Sequence, residues 1–244
     1  MMGNSAMSER SMADGVRRSA AEIGVEGASG PDEQARASKT GRPSRQKSEE
    51  LTARILDVAT GMFAAQGYAG TSMEKIAAAC GAGKDTVYRR FPSKEALFRG
   101  VIERIRARAL RSLEMTVPPV GAPLERLKVA GHWFLTAHLE PQQIAMKRIT
   151  LSEAAMFRQS LADGAGGDPT VRCLIELIEA AQTSGDLAKG EAAFIADQLI
   201  YSLTVKPITY AMLGSAAFAS TEARDAYFEQ AWELFMRGAG KRAD

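Results

Sequence analysis

The stretch that most constrains this chain runs from Thr71 to Lys94, TSMEKIAAACGAGKDTVYRRFPSK. Thr71 and Glu74 have the T-x-x-E spacing of a capping box, which predicts a helix starting at Ser72. Met73, Ile76 and Ala77 then recur at helical spacing. Gly81-Ala82-Gly83 stops that helix and allows the sharp bend of a helix-turn-helix. Lys84 opens a second helix with Val87 and Phe91 facing inward. Lys84, Asp85, Thr86, Tyr88, Arg89 and Arg90 are left outside or flanking. Pro92-Ser93 ends this helix, and Ser93 can cap the next. A short helix with basic, hydroxyl and phenol groups on its outer side suits a DNA major groove.

Charge follows the same division. Lys and Arg number 3 against 6 Asp and Glu in residues 1–33, 16 against 7 in residues 34–111, and 12 against 16 in residues 112–244. A basic module joined to an acidic remainder implies a polyanionic partner for the module alone. Residues 1–46 contain no aromatic side chain and are rich in Ser, Ala, Gly and charge, so disorder is expected there. Arg42 and Arg45, near the end of that segment, are candidates for a basic arm entering a minor groove; a non-specific linker is the alternative.

The rest reads as helix, with no convincing strand. A helix from about Ser48 carries Leu51, Ile55, Val58, Ala59, Met62 and Phe63 on one stripe and meets Gly67 as a C-cap. With the two helices above it makes a three-helix unit. A fourth helix, Lys94 to about Met115, turns Leu97, Val101, Ile105 and Leu110 inward. Arg99, Arg104, Arg106, Arg108 and Arg111 lie on its outer side. Leu124–His138 and Gln142 to about Ser160 follow. Asp168 then caps a helix with Pro169 at its first position and Gly185 at its end. Glu191 to about Leu213 is apolar nearly all round, so it is buried or shared between subunits. Pro207 is expected to kink or divide it. Thr221 caps a last helix with Phe228, Ala231, Trp232 and Phe235 inward. The fold class is all-α. Its expected divisions are a disordered segment over 1–46, a DNA-binding unit over 47–98 and a helical bundle over 99–240.

From Ile55 to Leu97 the chain resembles the DNA-binding domain of TetR-family transcriptional regulators. The specific pieces are Gly67-Tyr68, Thr71, Ile76-Ala77, Gly81, Thr86-Val87-Tyr88 and Phe91-Pro92-Ser93-Lys94. The run Arg148 to Phe157, RITLSEAAMF, is similar to a ligand-domain helix of the AefR-like branch. The resemblance implies base contacts for Lys84, Asp85, Thr86 and Arg90, and phosphate contacts for Thr71, Tyr88 and Lys94. Lys and Arg can donate to guanine, Thr can meet a thymine methyl, and tyrosine hydroxyls position the backbone. Two residues depart from the family pattern: Gly83 stands where a serine N-cap is common, and Ala82 where valine is. Asp85 either accepts from a cytosine amino group or is a helix-start acid favoured by the dipole.

The resemblance further implies a homodimer on a palindromic operator, paired through the last two helices. A small apolar or aromatic effector in the C-terminal bundle would release a repressor from that operator. Candidate effector residues are Trp133, Phe134, Met146, Met156, Phe157 and Tyr201, each also a reasonable core residue. An enzyme is the competing class. His132 and His138 are the only histidines and their spacing puts them on different helix faces. GAGK at Gly81–Lys84 lacks the longer phosphate-loop frame. Two cysteines, Cys80 and Cys173, make neither a disulfide framework nor a zinc pattern, so no metal or other cofactor is expected. A third class is a helical dimerisation or sensor protein without operator binding. The start shows no secretory signal pattern and no run of about 18 apolar residues occurs, so a cytoplasmic protein is expected.

Overall fold

The computed structural model describes residues 45–153 and 167–240, and among these it contains helices and one isolated β-bridge, between Leu187 and Gly240. The helices are α1 (Arg45–Gly70), α2 (Met73–Ala79), α3 (Lys84–Arg90), α4 (Lys94–Thr116), α5 (Pro123–His138) and α6 (Pro141–Ser152). After residues 154–166 come α7 (Pro169–Ser184), α8 (Ala192–Met212) and α9 (Thr221–Ala239). Nearly all of residues 1–46, with Arg42, and the candidate effector residues Met156 and Phe157 lie outside the described residues.

Two apolar clusters organise these helices. The first gathers Ile55, Ala59 and Phe63 of α1, Met73, Ile76 and Ala77 of α2, Val87 of α3, and Leu97, Phe98, Val101 and Ile105 of α4. Met146 and Ile149 of α6 complete it. The second joins Leu113 and Val117 to the buried faces of α5, α7, α8 and α9, with Phe134, Leu174, Leu203 and Phe228 at its centre. Leu113, not Leu110, is the fully buried residue near the end of α4. At the usual rise per residue the 23 residues of α4 extend roughly 35 Å, enough to enter both clusters. Cys80 is a buried member of the first cluster, and burial pushes its thiol above the usual range.

Local chemistry explains most boundaries. Gly67 takes φ 71° and interrupts α1 where a C-cap is expected. Asp168 accepts from the Thr170 amide with Pro169 at the first position of α7, and Gly185 closes that helix at φ 83°. Two caps differ from expectation by one residue. Ser72, not Thr71, caps α2 through the Lys75 amide, because Thr71 donates its hydroxyl to the Gly67 carbonyl. Ser220, not Thr221, caps α9 through the Ala223 amide. Pro141 occupies the first position of α6. Pro207 neither ends nor divides α8, which continues to Met212 with Pro207 buried.

Candidate nucleic-acid interface and interior cavity

Helix α3 is held on two sides, by polar contacts to α2 and to α1. Gly81 at φ 62° makes the turn, and the Ala82 amide reaches back to the Ala77 carbonyl at 3.0 Å. Gly83 occupies the N-cap without a side-chain bond, as its lack of a hydroxyl requires. From α2, Glu74 lies 2.9 Å from the Lys84 ammonium and accepts from the Tyr88 hydroxyl at 3.3 Å. The Lys84 ammonium holds the Glu74 carboxyl at about 2 and is itself pushed up by that carboxylate. On the other side Arg90 donates to the Thr52 hydroxyl at 3.2 Å and the Ser48 hydroxyl at 3.1 Å, both on α1. It also returns to the Thr86 carbonyl, at 3.2 Å.

Lys84, Asp85 and Arg89 are exposed, and Thr86 and Tyr88 are half-buried. Together they form the outer surface of α3. The other expected DNA contacts lie elsewhere. Thr71 is only 1% exposed and its hydroxyl is engaged internally, so that hydroxyl is not available to a phosphate. Lys94 donates to the Tyr68 carbonyl at 2.8 Å and the Thr71 carbonyl at 3.0 Å, with its ammonium 4.3 Å from the Tyr68 ring centre. It braces the end of α1 against the start of α4. Arg45 opens α1 and pairs with Glu49 one turn later, at 3.0 Å. Of the arginines on the outer side of α4, Arg104 and Arg108 both grip Asp57 of α1, at 2.8 and 2.6 Å. Sequence reasoning missed Glu74 as the partner of Lys84 and the Ser48–Thr52 pair as the seat of Arg90. The i, i+4 spacing of Ser48 and Thr52 was visible, but their facing helix was not.

A cavity of about 380 Å³ lies beyond this module, bounded by α4, α5, α6, α7 and α8. Trp133 and Met146 line it, as expected. Phe134 does not; it is a fully buried member of the second cluster. Tyr201 does not either, being 59% exposed on the outside of α8. The apolar wall includes Phe98, Ile102, Ile105 and Ile208, and the polar wall includes Arg106, His138, Lys147 and Asp168. His138 donates from Nδ1 to the Phe134 carbonyl at 2.8 Å; since a carbonyl only accepts, Nδ1 carries the proton. Burial holds the His138 imidazole down to about 4. Burial likewise pushes the Lys147 ammonium below the usual lysine range, with Asp168 opposing and Arg106 adding to the effect.

A third surface is apolar. Phe194, Tyr201, Val205 and Tyr210 stand exposed on α8, with Leu213 just beyond it and Leu234 on α9. Among the described residues no helix is long and apolar enough to cross a membrane, and no cluster of three potential metal ligands occurs.

Comparison with known proteins agrees with this arrangement. Residues 55–101 match the profile of bacterial regulatory proteins of the tetR family, and residues 125–238 match that of the AefR-like transcriptional repressor C-terminal domain. An HTH-type transcriptional regulator of Mycobacterium tuberculosis is 36% identical over 143 residues, which span 52% of this chain and 69% of the relative. Among solved structures, the Flavonoid-responsive Regulator FrrA is 26% identical with a TM-score of 0.62, over 80% of this chain and all of its own. A TetR-family regulator of Mesorhizobium loti shares the fold at 22% identity, with a TM-score of 0.68 over 79% of this chain and 98% of its own. The helix-turn-helix of α2 and α3, the all-helical body behind it and these relatives together identify the chain as a member of the TetR family of DNA-binding transcriptional regulators.

Proposed function

We propose that this regulator is a repressor that binds a palindromic operator as a homodimer and is released by a small molecule held in the interior cavity. The observation that carries the reading is the outward face of α3, where Lys84, Asp85, Thr86 and Arg89 are the groups a major groove would meet. We assign Lys84, Asp85 and Thr86 to bases and Tyr88 to a phosphate. Arg90, Lys94 and Thr71 act mainly by holding α3 and the end of α1 in place, through the bonds described above. Arg45, at the start of α1, and Arg42 before it would extend the contact as an arm.

The partner for the apolar face of α8 and α9 is a second copy of this chain. A face this apolar is costly to leave in water. Pairing the same two helices from two protomers would bury it symmetrically. Release then requires only that an effector favour a spacing of the two α3 helices that no longer matches successive major grooves. Helices α4 and α6 are the candidates to carry that change, since both line the cavity and both enter the first cluster. FrrA is described as flavonoid-responsive, which supports an aromatic effector here. A protein of this kind works in the cytoplasm, on the nucleoid.

Selection of bound duplexes from a random pool tests the core of the reading. A recovered palindrome, bound by a dimer with affinity that falls steeply with salt, is the expected result. No binding to any duplex at low salt would leave a helical sensor without an operator.

A further inference from the structure

Among the described residues, one cation of the cavity has no bonded counter-ion. Arg99 at its edge pairs with Glu95, and Arg106 faces Asp168 at 3.8 Å. Asp168 is otherwise occupied in capping α7 through the Thr170 amide and hydroxyl. His138 is neutral, with Nδ1 engaged and Nε2 left as an acceptor. Lys147 remains. It lines the cavity and is partly buried; Asp168 acts on it only at a distance, and no acceptor or carboxylate lies within bonding distance among the described residues. An ammonium so placed needs water or an anion.

We propose that the cavity takes an amphipathic organic monoanion: a flat apolar body against Ile102, Ile105 and Trp133, and a carboxylate paired with the Lys147 ammonium. This rests on the effector reading above and names the chemistry of its ligand. A neutral apolar molecule of the same shape would strip water from Lys147 and return no acceptor, so it binds less well. A dianion brings a second charge that the cavity does not match, because its other cations already have carboxylate partners. The neutral Nε2 of His138 can in addition accept from a hydroxyl on the ligand, so a hydroxylated aromatic acid suits both groups.

The test is calorimetric titration of the full chain with 2-naphthoate, its neutral isostere 2-naphthamide and 2-naphthyl phosphate, all at neutral pH. Naphthoate is expected to bind once per chain, about tenfold or more tighter than the amide and tighter than the phosphate. Lys147→Met and Lys147→Gln, each checked for an unchanged fold by its melting curve, are expected to weaken naphthoate and to abolish its advantage over the amide. Equal affinity for acid and amide overturns the proposal. So does a preference for the acid that survives in both variants, tighter binding of the phosphate, or no binding of any of the three. Parallel titration with selected operator DNA separates the two readings. Operator binding without any naphthoate site removes the ligand class and keeps the regulator. A Lys147-dependent naphthoate site in a chain that binds no DNA does the reverse.

Discussion

At Lys94 one ammonium meets two carbonyls and the face of an aromatic ring, all where α1 ends and α4 begins. Charge-assisted bonds of this kind outweigh ordinary surface ion pairs, because the acceptors are backbone carbonyls fixed where α1 passes into α2. Lys94→Met should therefore lower unfolding stability by about 2 kcal/mol in a urea titration, and weaken DNA binding alike for every sequence. Unchanged stability with lost DNA affinity would return Lys94 to a phosphate. Arg90 makes the comparable link between α3 and α1. Arg90→Ala should cost about 1–2 kcal/mol, and a double-mutant cycle with Thr52→Val should show coupling between the two positions. Altered preference at single operator positions, without loss of stability, would make Arg90 a base reader instead. His138 supplies a pH dependence. Its ordinary value is 6.5 and the folded value about 4, so the unfolded chain takes up the proton first. Stability is then full above pH 6.5 and falls on acidification towards pH 4, by on the order of 3 kcal/mol. His138→Gln should remove that slope from unfolding curves measured across the same pH range.

Among the elements, α3 has only seven residues, too few to be helical on propensity alone. Its stability comes from Val87 in the first cluster and from the polar supports on either side. The weak point is its start. Gly83 sits at φ −63° and ψ 143°, a conformation any residue adopts, and a side chain there would have ordinary clearance from Thr86. Gly83→Ser should supply the missing cap and raise stability by a few tenths of a kcal/mol, read as a small upward shift in Tm. A fall in Tm would mean that the serine hydroxyl does not reach the backbone amides of α3. Helix α6 has a different task. Met146 and Ile149 enter the core of the DNA-binding module, while Arg148 donates to the Ala211 and Met212 carbonyls at the end of α8. One short helix thus ties the module to the body of the protein, and Lys147 lies between these two anchors.

For the whole molecule, the proposed dimer rests on the exposed apolar stripe of α8. Phe194, Tyr201 and Val205 fall at i, i+7 and i+11, a single helix face. Tyr201→Glu together with Phe194→Glu should convert a dimer to a monomer in sedimentation experiments and lower operator affinity by 100-fold or more, as two half-sites then bind independently. A double variant that remains dimeric would move the interface elsewhere. The chain's own order of caps, glycines and apolar spacings determined the all-helical class, the three-helix module and most helix ends, because such signals act within a turn or two of themselves. The same local information placed Lys84, Asp85 and Thr86 on the outside of α3. What only the tertiary structure decided is which polar groups are spent inside. Arg90 is held by Ser48 and Thr52, and Lys94 by Tyr68 and Thr71, while Tyr201 faces outward and Phe134 inward. Those outcomes depend on residues up to 42 positions away along the chain, brought together by helix packing that no local periodicity encodes.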